Sequence, residues 1–197
     1  MESIFHCQNQ QIFCCSGWHR FGVKVAENGQ EFDSKWADWH IAYHGTQGQF
    51  ATSILTSGLK VSTQGCFYEE GIPRVYVSPS IEYSAHPRYA WQWRKADKDG
   101  QIMWYQLVFQ CRVNPTSVDR VGPETLIHTD VKSKVKVDQN FENGELEWVV
   151  IGKNGTEFIK DDIICYGIMM RCSKVDPDQL PASHWWKNAH WSDSYKK

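Results

Sequence analysis

The run Met103 to Val113, reading Met-Trp-Tyr-Gln-Leu-Val-Phe-Gln-Cys-Arg-Val, limits what this chain can become. Like every other stretch of the chain, it falls short of the roughly 20 apolar residues a membrane helix needs. It reads instead as a central β-strand. Further strand-like runs surround it: Phe21 to Val25, which alternates apolar and polar residues, His40 to Tyr43, Val75 to Val77, Leu146 to Ile151 and Ile163 to Met170. Asn28-Gly29 reads as a hairpin-type turn, and Asn143-Gly144 and Asn154-Gly155 as further turns.

Two segments carry helix signals. Phe50, Ile54, Leu55 and Leu59 fall on one helical face, and Gly58 stands where such a helix can end. Pro79 opens a second helix, expected over Ser80 to Trp93. Many strands with a few short helices and mixed connections define an α+β class. No Gly-x-Gly-x-x-Gly follows a strand and no phosphate-binding Gly-x-x-x-x-Gly-Lys-Ser/Thr occurs, so a doubly wound nucleotide fold is not expected.

A length of 197 residues suits one domain, expected over residues 1–175. Aromatic residues make up 14% of the chain, which offsets a modest hydrophobic share when a core is built. A Trp-rich tail follows over 176–197, with Trp185, Trp186, Trp191 and Tyr195. These aromatics either pack back on the domain or form a docking segment for another protein. Trp18 and the strand pattern around it are expected to extend the same domain.

The net charge of −2 gives no basic surface for nucleic acid. The seven cysteines show no Cys-x-x-Cys pair and no framework spacing. His6, Cys7, Cys14, Cys15 and His19 cluster, but reduced thiols packed as small hydrophobes are the expectation, with no metal site. The N-terminus lacks a signal-peptide layout, so a reducing compartment, cytoplasm or nucleus, is expected, and Asn154-Gly155-Thr156 reads as a turn rather than a glycosylation site.

The chemistry-bearing residues begin with Tyr43-His44-Gly45-Thr46. A strand ending in an aromatic, a His and a Gly places an imidazole at a sheet edge. A glycine there lets a ligand come close to the main chain, where a flat amide can give one hydrogen bond and take another. Thr46 adds a hydroxyl. Alone, this tetrapeptide is a weak signal. Downstream come Ile54-Leu55, Gly58-Leu59-Lys60, Gly71, Val75-Tyr76-Val77-Ser78, Tyr83-Ser84-Ala85 and Tyr89-Ala90, in that order. Far beyond them stand Glu145-Leu146-Glu147-Trp148-Val149-Val150 and the strand Asp161 to Met170.

In this order the chain resembles the catalytic domain of the poly(ADP-ribose) polymerase family, a branch of the diphtheria-toxin-like, His-Tyr-Glu ADP-ribosyltransferases. The resemblance runs over roughly residues 37–172. It departs at Arg74-Val75-Tyr76, where the family has Gly-Ile-Tyr or Gly-Val-Tyr, and at His86-Pro87-Arg88, which lengthens the Ser-Ala to Tyr spacing. The resemblance implies two packed, mostly antiparallel sheets with short flanking helices, NAD as co-substrate, and catalysis through Glu147. It implies that His44 bonds the adenosine-side ribose and that the Gly45 main chain and the Ser84 hydroxyl bind the carboxamide. Tyr76 then stacks on nicotinamide and Tyr89 closes the opposite face. The implied activity is ADP-ribosyl transfer, with a protein acceptor expected, the chain itself included. The glutamate at the third position resembles chain-building members and leaves polymer synthesis open, while single-unit transfer (mono-ADP-ribosylation) is the expectation. That expectation rests on the 43 residues before His44, a stretch in which the helical regulatory domain of chain-building members is not expected to fit.

Residues two apart on a strand share a face, so Glu145 is expected beside Glu147, orienting an acceptor or raising its partner's pKa. Two other functions stay open. One is an NAD-dependent RNA 2′-phosphotransferase, which shares His-Gly-Thr but resembles His-x-His where this chain has Val75-Tyr76-Val77. The other is a catalytically silent module that keeps the fold for binding.

Overall fold

β5 (Ile102–Val113) runs through the middle of the larger sheet. Its β-branched and aromatic side chains suit a pleated, buried surface. The computed structural model describes residues 17–61, 74–87, 89–121, 138–151 and 161–177. One edge of β5 pairs with β8 (Ile163–Ser173), which in turn pairs with β1 (His19–Gly22). The other edge is shared: β2 (His40–Gly45) takes the stretch from Val108 to Val113, and β4 (Trp93–Ala96) takes Ile102 to Tyr105. A smaller sheet has the order β3 (Arg74–Val77), β7 (Trp148–Ile151), β6 (Val118–Val121). All of these pairings are antiparallel. The described residues are therefore α+β, with mostly antiparallel sheets and few short helices.

Alternation along β5 sends its residues to two different interiors. Leu107, Phe109, Cys111 and Val113 meet Ala42, Val75, Val77 and Val150 in a core between the sheets. Val108, on the opposite face, meets Met169, Trp18, Ile81, Ala85 and Ala90. Trp18 thus packs with the body of the fold. Cys111 lies in the first core, its sulfur 3.5 Å from that of Cys165, and both are free thiols. Burial pushes the Cys111 thiol well above the ordinary range, so it packs as a small hydrophobe.

Asn28-Gly29 does not make a hairpin. It starts helix α1 (Gly29–Trp36), because the Asn28 side chain accepts the Glu31 N–H at 2.9 Å and the Glu31 carboxylate reaches back to the Glu27 N–H. Asn caps helices as readily as it turns hairpins. α1 is tied to the larger sheet by Arg112, which donates to the Trp39 carbonyl and lies over the Phe32 ring. β1 falls earlier than the expected Phe21 to Val25, and Phe21 is exposed.

Helix α2 (Ala51–Ser57) follows a 3-10 turn at Gly48–Phe50 and stops at Gly58, whose φ of +87° only glycine adopts without strain. The second expected helix shrinks to α3 (Ile81–Ser84), four residues long, capped by Ser80 accepting the Tyr83 N–H. Pro87 disfavours helical backbone at the residue before it, and Trp93 begins β4 rather than ending a helix. β2 and β8 run further than expected, to Gly45 and Ser173. β7 begins later than Leu146 because residues 143–145 form a 3-10 turn.

The Cys7, Cys14 and Cys15 cluster, Gly71, Arg88, the Asn154-Gly155 turn and the tail aromatics from Trp185 onward lie outside the described residues. Among those described, no helix is long and apolar enough to cross a membrane and no cluster of ligating side chains could hold a metal ion.

Candidate active site

Besides the core they share, the two sheets are joined by a main-chain bridge. Tyr43 and Ser78 exchange backbone hydrogen bonds of 2.7 and 2.9 Å, so the C-terminal ends of β2 and β3 meet there. Beside this bridge the His44 Nδ1–H donates to the Tyr76 carbonyl at 2.9 Å. A carbonyl only accepts, so Nδ1 carries the proton. Desolvation lowers the His44 pKa below its ordinary value, opposed in part by that hydrogen bond. The neutral ring therefore presents Nε2 as an acceptor.

Strand geometry settles which way Gly45 faces. Main-chain groups of successive strand residues point to opposite edges, and those of Tyr43 point to Ser78. The N–H and C=O of Gly45 point the same way, away from β5. Its missing side chain also makes room within the protein. A Cβ at Gly45 would collide with the Ser84 carbonyl and lie 2.7 Å from the Tyr89 Cβ. Glycine here permits the close approach of α3 and Tyr89.

Ser84 is buried at the end of α3, with its hydroxyl donating to the Tyr43 carbonyl at 2.9 Å. The proton is committed, and its oxygen can still accept. Thr46 is buried directly after β2. Tyr76 sits on β3 opposite Val149 and is partly exposed, between the buried Val75 and Val77.

Glu147 immediately precedes β7 and is 1% exposed. The Tyr83 hydroxyl donates to its Oε2 at 2.7 Å, and the Tyr89 hydroxyl lies 3.4 Å from the same oxygen. The two tyrosine rings are themselves in contact, 5.8 Å between centroids. A buried carboxylate is costly unless hydrogen-bonded, and here α3 and the chain after it deliver two phenols to it. Ser80, which caps α3, also donates to Asp138 at 2.7 Å. That bond ties α3 to the segment that leads into Glu147.

His44, Gly45, Tyr76, Ser84, Tyr89 and Glu147 are thus linked by direct contacts of their own atoms or of the chain next to them. Tyr83 joins them with no role foreseen for it. Its only sequence signal is its position directly before Ser84 on a capped helical turn. Glu145 stands apart. It is exposed in the 3-10 turn, and its carboxylate accepts the Glu142 N–H at 2.9 Å in a capping box. The face it was expected to share with Glu147 requires extended backbone at both residues, and the backbone at Glu145 is helical. The chain matches no protein-family model, and no curated protein matches it.

Proposed function

We propose that this chain is an NAD-dependent ADP-ribosyltransferase with the two-sheet fold of that class, working through Glu147, His44 and Tyr76. The observation that supports this most is a buried carboxylate, Glu147, bracketed by two phenols, one of which, Tyr89, packs against Gly45, the neighbour of the neutral His44 imidazole. These donors and acceptors suit NAD. Nε2 of His44 can accept from a ribose hydroxyl. The Gly45 N–H can donate to the carboxamide oxygen, while the Gly45 carbonyl and the Ser84 oxygen can accept from its amide nitrogen. Tyr76 and Tyr89 offer ring faces for nicotinamide.

In the reaction, the bond between C1′ of the ribose and the nicotinamide nitrogen breaks and nicotinamide leaves with the electron pair. Positive charge builds on the ribose, as in other glycosyl transfers. An ionised Glu147 stabilises that charge in a water-poor setting where electrostatic effects are large. The acceptor then bonds C1′ and gives up its proton. A protein side chain is the proposed acceptor, and a single ADP-ribose unit the proposed product.

Calorimetric titration of NAD into the purified chain tests the pocket. Binding that is lost in His44→Ala and Tyr76→Ala supports it, and no binding to the wild-type chain removes it. A chain that binds NAD without releasing nicotinamide is instead the silent binding module.

A further inference from the structure

Gln106 and Arg171 are both buried in the larger sheet, at 0% and 3% exposure, where two apolar residues would fill the space more cheaply. They sit opposite each other on β5 and β8. The Gln106 Nε2 donates to the Ala85 carbonyl at 2.7 Å and to the Ala90 carbonyl at 2.6 Å. Its Oε1 accepts from the Arg171 Nε at 2.9 Å. Arg171 is held in turn by the Trp18 ring, 4.5 Å from its guanidinium carbon, and by the Glu82 carboxylate at 3.9 Å.

These contacts admit one orientation of the amide. A guanidinium only donates and a carbonyl only accepts. Turning the amide over would set N–H against guanidinium and oxygen against two carbonyls. Both amide protons are spent on the chain that leaves α3, at the two carbonyls that flank the turn carrying Tyr89. We infer that Gln106 is a positioning residue that holds Tyr89 at the candidate site, with Arg171 fixing the amide that does so. The effect on NAD rests on the reading of that site given under Proposed function. The effect on Tyr89 does not.

The test uses the full chain carrying Gln106→Glu. A carboxylate still accepts from Arg171 but has no proton for Ala85 and Ala90. Hydrogen exchange is read at the Tyr89 and Ala90 amides, which bond the His86 carbonyl at 2.8 and 2.9 Å. Exchange there is expected to speed up about tenfold, the order lost with one to two hydrogen bonds, while amides of β5 and β8 keep their rates. KM for NAD, read from nicotinamide release, is expected to rise about tenfold with a smaller change in kcat, the pattern of lost ground-state binding. Unchanged exchange at Tyr89 and Ala90 in the folded variant overturns the inference. Faster exchange with an unchanged KM overturns the part that concerns the substrate. If the wild-type chain releases no nicotinamide, the proposed function fails while the exchange comparison still decides whether Gln106 holds Tyr89. Gln106→Met, of similar volume and without donors, gives the same comparison if the charged variant does not fold.

Discussion

The Tyr83 hydroxyl and the Glu147 carboxylate meet at 2.7 Å across 64 positions of sequence, both side chains almost wholly buried. The bond joins α3 to the entry of β7 and fixes the direction in which the carboxylate points. A hydrogen bond to a charged group contributes about 1.5–3 kcal/mol. Tyr83→Phe is therefore expected to lower kcat for nicotinamide release by about ten- to a hundredfold, with NAD affinity nearly kept. Steady-state kinetics beside a calorimetric titration check this. An unchanged kcat would remove Tyr83 from the site's machinery.

Gly45 has no room for a methyl group. A Cβ there meets the Ser84 backbone oxygen and the Tyr89 Cβ, and neither is the end of a flexible side chain. Gly45→Ala is expected to destabilise the protein by about 1–3 kcal/mol, the usual cost of overpacking, with Tm lower by several degrees. Thermal unfolding followed by circular dichroism measures it. A Tm equal to wild type would mean that α3 and β2 do not pack as described.

His44 makes stability depend on pH in a definite direction. Its folded pKa is lowered, chiefly by desolvation, so the unfolded chain binds the proton more readily. The stabilisation is complete above the unfolded value of about 6.5. It is lost as pH falls from there towards the folded pKa. Protonation also removes the Nε2 lone pair, so NAD affinity is expected to weaken over the same acid window. Urea unfolding and NAD titration at pH 7.5, 6 and 5 test both, with His44→Gln as the control that lacks this contribution. Equal pH slopes in the two proteins would contradict the account of His44.

The central strand, the β2 and β3 runs and the final strand were legible because long β-branched and aromatic stretches leave few other conformations. His44, Tyr76 and Glu147 stood out through the order of short motifs around them. What could not be read had specific causes. Asn28-Gly29 suits a hairpin and a helix cap equally, and Glu31 three residues on decides for the cap. The helix expected to reach Trp93 ends at Ser84, ahead of Pro87, and the chain beyond it is held by Gln106 from a distant strand. Tyr83 and Gln106 act through contacts distant in sequence, which no local pattern records. Glu145 lies two residues from Glu147, a spacing that places them on one face only where both are extended.

The most direct measurement is incubation of the purified chain with radiolabelled NAD, comparing wild type with Glu147→Gln. The variant keeps the size of the side chain and loses the charge that the proposed transition state requires. Label transferred to protein together with nicotinamide release in the wild-type chain, reduced at least about a hundredfold in the variant, is the predicted result. Equal turnover in both proteins, or none in either, would contradict the assignment of Glu147 as the catalytic carboxylate.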